Sequence, residues 1–492
     1  MPSLYVTDMS RAQFDLTVIT HFLFVTTTLG VMTVTVILEL MYAFSKKKKE
    51  EYGRLALFFS RIFFFSRIFF FSFATGVVTG LVMEMQFGLN WSAYSKFFGD
   101  IIGMPLVIES LLAFFIESNL IGLWRFTWGK MNEKWNALMG VALLISSLIS
   151  VVWIISINAF MQQPYGFHME GNHARLDSFI SLFQNPFYPY EFGHVFFAIM
   201  IVGGFVTAGI SAWQILRKRD AKLFKKSLQI GLMLAVPCAL MQPLMADSQA
   251  EISGPVQPMK FAAMEGQFDN AGGKDYGVPW TLFAVISQKN ETTKGPAIPN
   301  LGSYFGTGKF TGTTVGAKDI AKAYHTKYDS TVAKLYKGEM KYIPPVLLMF
   351  TAMRWMVYAG YYFAIFGVFF LLMMMRKKKP IEEHRKTLHV LGVTMWFPYI
   401  TITAGWTVAE VGRYQFVVYG LLTQFDAVSP TMTASGITAS FTAFAILDLF
   451  LIITMIVISH RYVKKGLPDI DGNYPDPRPY IDPFDKKVFE NA

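Results

Sequence analysis

A single cysteine in 492 residues excludes several kinds of protein at once. A disulfide within the chain, a cysteine zinc site and an iron–sulfur cluster all need more sulfur than Cys238 supplies. Charge is scarce as well: Asp, Glu, Lys and Arg make up 16% of the residues, against about a quarter in a soluble chain. No Walker-type loop and no glycine-rich dinucleotide motif occurs. A cleavable signal peptide is not expected, because Asp8, Arg11 and Asp15 interrupt the N-terminus ahead of the first apolar run.

What the chain has in abundance is apolar surface, 53% of residues hydrophobic and 16% aromatic. Runs long enough to cross a bilayer recur along its whole length. They lie at about 17–44, 54–83, 101–126, 135–157, 190–215, 226–245, 344–375, 388–412 and 437–460. The pattern predicts an all-α, polytopic integral membrane helix bundle of about nine transmembrane helices. Four regions follow: helices 1–6 over 1–245, a long loop over 246–343, helices 7–9 over 344–460, and a tail over 461–492.

The net charge of +10 is a topology signal and not a nucleic-acid footprint. Lys46–Lys49, Arg217–Arg219 with Lys222, Lys225 and Lys226, Arg376–Lys379, and Arg461 with Lys464 and Lys465 all follow odd-numbered runs. By the positive-inside rule the N-terminus lies outside and the C-terminus in the cytoplasm. The loop over 246–343 is then external, with "NAGGKDYG" its loosest part, and a loop of that length is functional or mobile. One short repeat, "FSRIFF" at 59–64 and again at 65–70, puts Arg61 and Arg67 in the cytoplasmic half of the second run, where they reach the interface.

Against this background carboxylates stand out. "PLVIESLLAFFIES", 105–118, carries Glu109 and Glu117 eight residues apart. On an α-helix that is about 12 Å along the axis and roughly 80° around it, so both face one half of the helix. An acid at the bilayer centre costs about 3 kcal/mol, and proton relays are one reason it persists. The run enters from outside, which makes Glu109 the shallower and Glu117 the deeper rung of a proton ladder. The alternative is a pair of neutral acids bridging helices. Asn158, at the outer end of the fourth run, is a further candidate to assist through water.

Four potential metal ligands share the outer layer by the same topology: His21, His194 and Met356 near the starts of inward-going runs, and Glu410 near the end of an outward-going one. Imidazole and thioether together suit a low-spin electron-transfer heme. Arg354, two residues before Met356, is placed to pair with a propionate. Each residue alone has a blander reading: a hydrogen-bonded structural histidine, a packing methionine, or an acid paired with Arg413.

These residues lie in segments that resemble subunit I of cytochrome bd-type quinol oxidases. The segments are "SRAQFDLTVITHFLF" (10–24), "GLVMEMQFGLNWSAYS" (80–95), "GDIIGMPLVIESLLAFFIES" (99–118), "EFGHV" (191–195), "GISAWQIL" (209–216), "KFAAMEGQF" (260–268), "MRWM" (353–356) and "AGWTVAEVGR" (404–413). The resemblance implies His194 and Met356 as axial ligands of a low-spin heme b. It implies that His21 and Glu410 serve a high-spin pair, a heme b and a heme d (or a third heme b). Glu109 would lie beside that pair and Glu117 on the proton path. Lys260 and Glu265 match the quinol-binding loop, and Glu84 and Arg413 fall in heme-adjacent segments. Also implied are a second large membrane subunit, subunit II, and a small single-span one, in a bacterial cytoplasmic membrane, with quinol and O2 as substrates.

Two departures stand out. After "GR" the family commonly continues Gln-Pro-Trp, where this chain has Tyr414-Gln415-Phe416. The quinol loop is short, which points to the short-loop subtype. The expected activity is quinol:oxygen oxidoreduction that builds a proton motive force without pumping. Two alternatives differ in spectrum: an oxidase with b-type hemes only, and a heme-free proton-coupled transporter with inverted repeats and broken midplane helices.

Overall fold

In the computed structural model the described residues are 3–64, 71–171, 173–329, 340–375 and 380–471. The spans form because long apolar segments satisfy every backbone group internally only as helices. α1 runs from Leu4 to Phe44, opened by Ser3, whose side chain accepts from the Val6 amide. It starts well before the apolar run does, so Asp8, Arg11 and Asp15 ride on a helix that continues out of the bilayer. α2 (Lys49–Phe64) and α3 (Phe71–Leu89) cover the second predicted span. Residues 65–70, with the second copy of the repeat and Arg67, lie outside the described residues.

The third span is not one α-helix. α4 (Ser92–Ser110) passes into a π-helical segment, Leu111–Glu117, and then into α5 (Ser118–Phe126). α6 (Glu133–Gln162), α7 (Tyr188–Leu216) and α8 (Ala221–Val256) follow. α8 carries Pro237, Pro243 and Pro255 and outlasts its predicted end at 245. α9 (Pro258–Glu265), α10 (Leu301–Thr307) and α11 (Ala317–Tyr328) belong to the long connection between α8 and α12. α12 (Val346–Met375) re-enters the bundle. The eighth span is broken into α13 (Arg385–Thr394) and α14 (Phe397–Val411). Pro398, in the first turn of α14, has no N–H to continue a ladder from α13. After the short α15 (Gln424–Ala427), α16 (Ala434–Lys465) completes the bundle. Eight helical stretches among the described residues are long and apolar enough to cross a membrane.

The centre is α1, α7 and α8 in close approach. A Cβ on Gly30 would stand 2.5 Å from the Ile199 carbonyl oxygen, and one on Gly204 would stand 2.4 Å from that of Gly231. Small residues at such crossings are how membrane helices gain dispersion contacts without a hydrophobic driving force.

The described part of the segment between α8 and α12 is a cap with secondary structure of its own and not a loose loop. "NAGGKDYG" pairs: Ala271–Gly273 runs antiparallel to Gly312–Thr314, with Ala271 opposite Thr314. The cap has its own core, in which Phe261, Met264, Tyr324, Tyr342 and Phe416 are buried together. Aromatic residues there replace the long apolar runs as the source of buried area.

Candidate heme and proton-transfer sites

α14 packs on α1, α7 and α12. The helix of Glu410 thus joins the helices of His21, His194 and Met356 in one bundle, as the outer-layer reading requires. The histidines differ in what they touch. His21 shares a hydrogen bond through Nδ1 with Thr79 Oγ1 at 3.0 Å, an arrangement that leaves Nε2 for a ligand. A Cβ on Gly80 would come within 3.1 Å of its Cε1. His194 Nδ1 is fully buried and has no hydrogen-bond partner among the described residues. Met356 Sδ lies 3.3 Å from where a Cβ on Gly405 would stand. An orphaned imidazole nitrogen and an unbonded thioether form a donor set that fits heme iron. No cluster of three or more His, Cys, Asp or Glu suited to a bare metal ion occurs among the described residues.

Glu410 is fully engaged. Oε1 accepts from Asn158 Nδ2 at 3.2 Å, and Oε2 pairs with Arg413. The ion pair weighed as the blander reading is present, and Asn158 bonds this acid directly. The turn after Arg413 explains the Tyr-Gln-Phe departure. Gln415 has φ +75°, which proline, held near −65°, cannot adopt. Tyr414 faces the Arg11 guanidinium at 5.1 Å, and Phe416 joins the aromatic core of the cap.

Arg354 is held by groups of the protein. Its Nη2 pairs with Glu265 Oε2 at 2.8 Å, its Nε donates to the Thr281 carbonyl at 2.7 Å, and its guanidinium lies 4.5 Å from the Trp280 ring centroid. Glu265 is therefore buried and paired. Lys260 is 4% exposed and donates to Gln162 Oε1 at 2.6 Å. Lys260 and Glu265 do not pair with each other, because α9 turns both side chains inward toward different partners. Burial lowers the Lys260 pKa to about 7, with Arg413 lowering it further and Glu410 and Glu191 opposing.

Gln162 is a residue the sequence reading missed. Its Nε2 donates to Asn158 Oδ1 at 3.1 Å, which completes a chain Lys260–Gln162–Asn158–Glu410–Arg413. Glu191, three residues before His194, was missed too; it is buried with Oε2 unpartnered among the described residues. "MQQP" and "EFGHV" contained both, but only the fold shows where they point.

Glu109 and Glu117 also sit differently from the expectation. The π segment falls between them, and its shifted hydrogen bonds replace the α-helical spacing. Both carboxyls converge on α6. Ser150 Oγ donates to Glu117 Oε1 at 3.2 Å; Ser150 is also near enough to Glu109, and Ser147 to Glu117, to act on those carboxyls, while Glu109 Oε2 has no hydrogen-bond partner among the described residues. Glu84 accepts from Ser110 Oγ at 3.4 Å and is near enough to Glu109 to act on it.

The fold and donor set define a class, a membrane helix bundle with ligands suited to heme. Residues 9–467 match the family model of cytochrome bd terminal oxidase subunit I, and the chain belongs to that family. It is 36% identical over 482 residues to cytochrome bd ubiquinol oxidase subunit 1 of Bacillus subtilis (strain 168), covering 98% of each chain. It is 30% identical over 517 residues to cytochrome bd-II ubiquinol oxidase subunit 1 of Escherichia coli (strain K12), covering 96% of this chain and 98% of that one. The bd oxidase structure from Geobacillus thermodenitrificans has the same fold, with a TM-score of 0.80 at 24% identity over 94% of this chain and 99% of that one. The chain is thus a multi-pass protein of the bacterial cytoplasmic membrane.

Proposed function

We propose that this chain is the heme-carrying subunit of a terminal oxidase. It takes electrons from quinol at the outer face and reduces O2 to water with cytoplasmic protons. Charge is separated because quinol protons leave outside while consumed protons enter from inside. The observation that carries this reading is the orphaned, buried His194 Nδ1 beside a family-wide match. His194 and Met356 would hold a low-spin heme b. His21 and Glu410 would serve a high-spin pair, a heme b with a heme d or a third heme b. Bound there, hemes supply the redox chemistry.

The chain's own residues do the rest. Thr79 orients His21 through its Nδ1. Asn158 and Arg413 hold Glu410 in one geometry. Lys260 and Glu265 form the quinol segment by shaping it from below, each anchored to a helix of the heme layer. Glu109 and Glu117 take up protons, with Ser150 keeping both in reach. Subunit II, and a small single-span subunit, complete the assembly, with lipid around it.

The absorption spectrum of the purified complex tests the assignment. The expected result is two b-type signals and a chlorin band. Met356→Leu keeps volume but removes the sulfur ligand, and should turn the low-spin heme high-spin or lower its potential; His194→Ala should lose that heme. An unchanged low-spin signal in both variants would sink the assignment. A heme-free complex would return the transporter reading.

A further inference from the structure

α6 is an apolar span with a polar face. Glu133 stands at its lysine-rich end, paired with Lys49 at 2.8 Å. Asn136, Gly140, Ser147 and Ser150 then follow on the buried side. At about 1.5 Å per residue the row climbs from that rim to the serines that hold Glu117 and Glu109. Small residues alone would mean only close helix contact. A third acid gives the row another meaning.

Glu39 of α1 is 3% exposed and faces this row. Its Oε2 accepts from Trp124 Nε1 at 2.7 Å. A Cβ on Gly140 would stand 2.9 Å from that same oxygen, so glycine is what leaves the carboxyl its place. Asn136 donates to the Trp124 carbonyl at 2.7 Å and fastens the indole from below. Arg125 is near enough to act on the acid electrostatically. From Gly140 to Ser147 is seven residues on one face, about 10 Å. A glutamine would accept the indole hydrogen bond as well, without the expense of an acid in the membrane. The role that needs a carboxyl is one that binds and releases a proton.

We propose that Glu39 is a proton-relay residue, the cytoplasmic stage of the route that feeds Glu117. The inference rests on the oxidase reading above. Water at the Lys49–Glu133 rim gives one proton to Glu39. The proton passes along the α6 face to Glu117, and Glu39 returns to its carboxylate, so no electrons move and nothing is consumed. Trp124 holds Oε2 so that the other oxygen carries the proton.

The test is single-turnover oxygen reduction by the intact complex with electrons preloaded. A pH-indicator dye follows proton uptake while heme absorbance follows oxidation. Glu39→Gln keeps the Trp124 bond and should keep the heme spectrum, yet lose fast proton uptake. Glu39→Asp, which still titrates, should recover part of it. Gly140→Ala, which pushes on Oε2 without removing the acid, should slow uptake less than Glu39→Gln does. Wild-type uptake in Glu39→Gln overturns the inference. So does loss of hemes in both Glu39→Gln and Glu39→Asp, which would make Glu39 a structural acid. Glu117→Gln run alongside separates the two readings. If it blocks uptake while Glu39→Gln does not, the route stands and only its entry moves. If neither blocks uptake, the route through Glu117 fails as well.

Discussion

The two acids beside α9 and α14 and the two acids that flank the turn into and out of the π segment are buried to similar degrees and keep opposite company. Glu410 and Glu265 each hold an arginine, Arg413 and Arg354. Glu109 and Glu117 have serines, Ser147 and Ser150, near enough to act on them. An arginine clamps a carboxylate in its charged form and in one geometry. A hydroxyl both donates and accepts, so it serves a carboxyl in either protonation state. Burial alone therefore does not say what an intramembrane acid is for; its partner does. The first two acids are fixed in position, and Glu109 and Glu117 have no arginine partner among the described residues.

The sharpest way to break this comparison is Arg413→Ala. It strands Glu410 and should destabilise the complex by about 3–5 kcal/mol, the usual effect of removing one partner of a buried pair. Thermal unfolding with heme release as the signal checks it; a shift no larger than that of a surface control would mean Glu410 needs no clamp. Next comes Glu265→Gln. The amide keeps its shape but loses the charge-assisted bond to Arg354, with an expected loss of about 1.5–3 kcal/mol. Quinol-driven turnover should fall, while an artificial donor that bypasses the cap keeps working. Equal loss with both donors would mark a folding defect.

Lys260 supplies a pH test. Its folded pKa, about 7, lies below the ordinary lysine value of about 10.4. Between those values the unfolded state binds more protons, so stability rises with pH across that window. The penalty of burying a charged ammonium is full below pH 7. Lys260→Met should flatten this rise, and an unaltered slope would show that the lysine stays charged on Gln162. The smallest expected change in stability is Ser150→Ala, about 1 kcal/mol, with the heme spectrum retained. Proton uptake should nevertheless slow, because the hydroxyl shared by Glu109 and Glu117 is gone. If uptake holds at the wild-type rate, serine company is no mark of a relay.

The spans were legible because hydropathy over a long run reports directly on membrane burial. The ligand candidates were legible because a lone His, Met or Glu is conspicuous in an apolar run. The π segment was not, since "LLAFFIE" has the composition of any membrane helix and the change lies in which carbonyl each amide chooses. Nor was the bond from Glu265 to Arg354, 89 residues away in sequence, or the inward turn of Lys260. The repeat gave a pattern without a role: Arg61 sits in α2, and its counterpart lies outside the described residues. Such long-range pairings depend on how α9 lies on α12 and α8, which no local pattern encodes.

The break in the eighth span bears on how the protein is made. α14 has 15 residues, about 22 Å of helix, short of the roughly 30 Å hydrocarbon core. It cannot cross alone, and only with α13 is the crossing complete. The helix that carries Glu410 therefore enters the bilayer as half of a two-piece insert. Tyr362 bonds Thr394 at 2.6 Å, and Trp213 Nε1 bonds the Gly392 carbonyl at 3.0 Å. Helices earlier in the chain, α7 and α12, thus hold the joint between the two pieces in place.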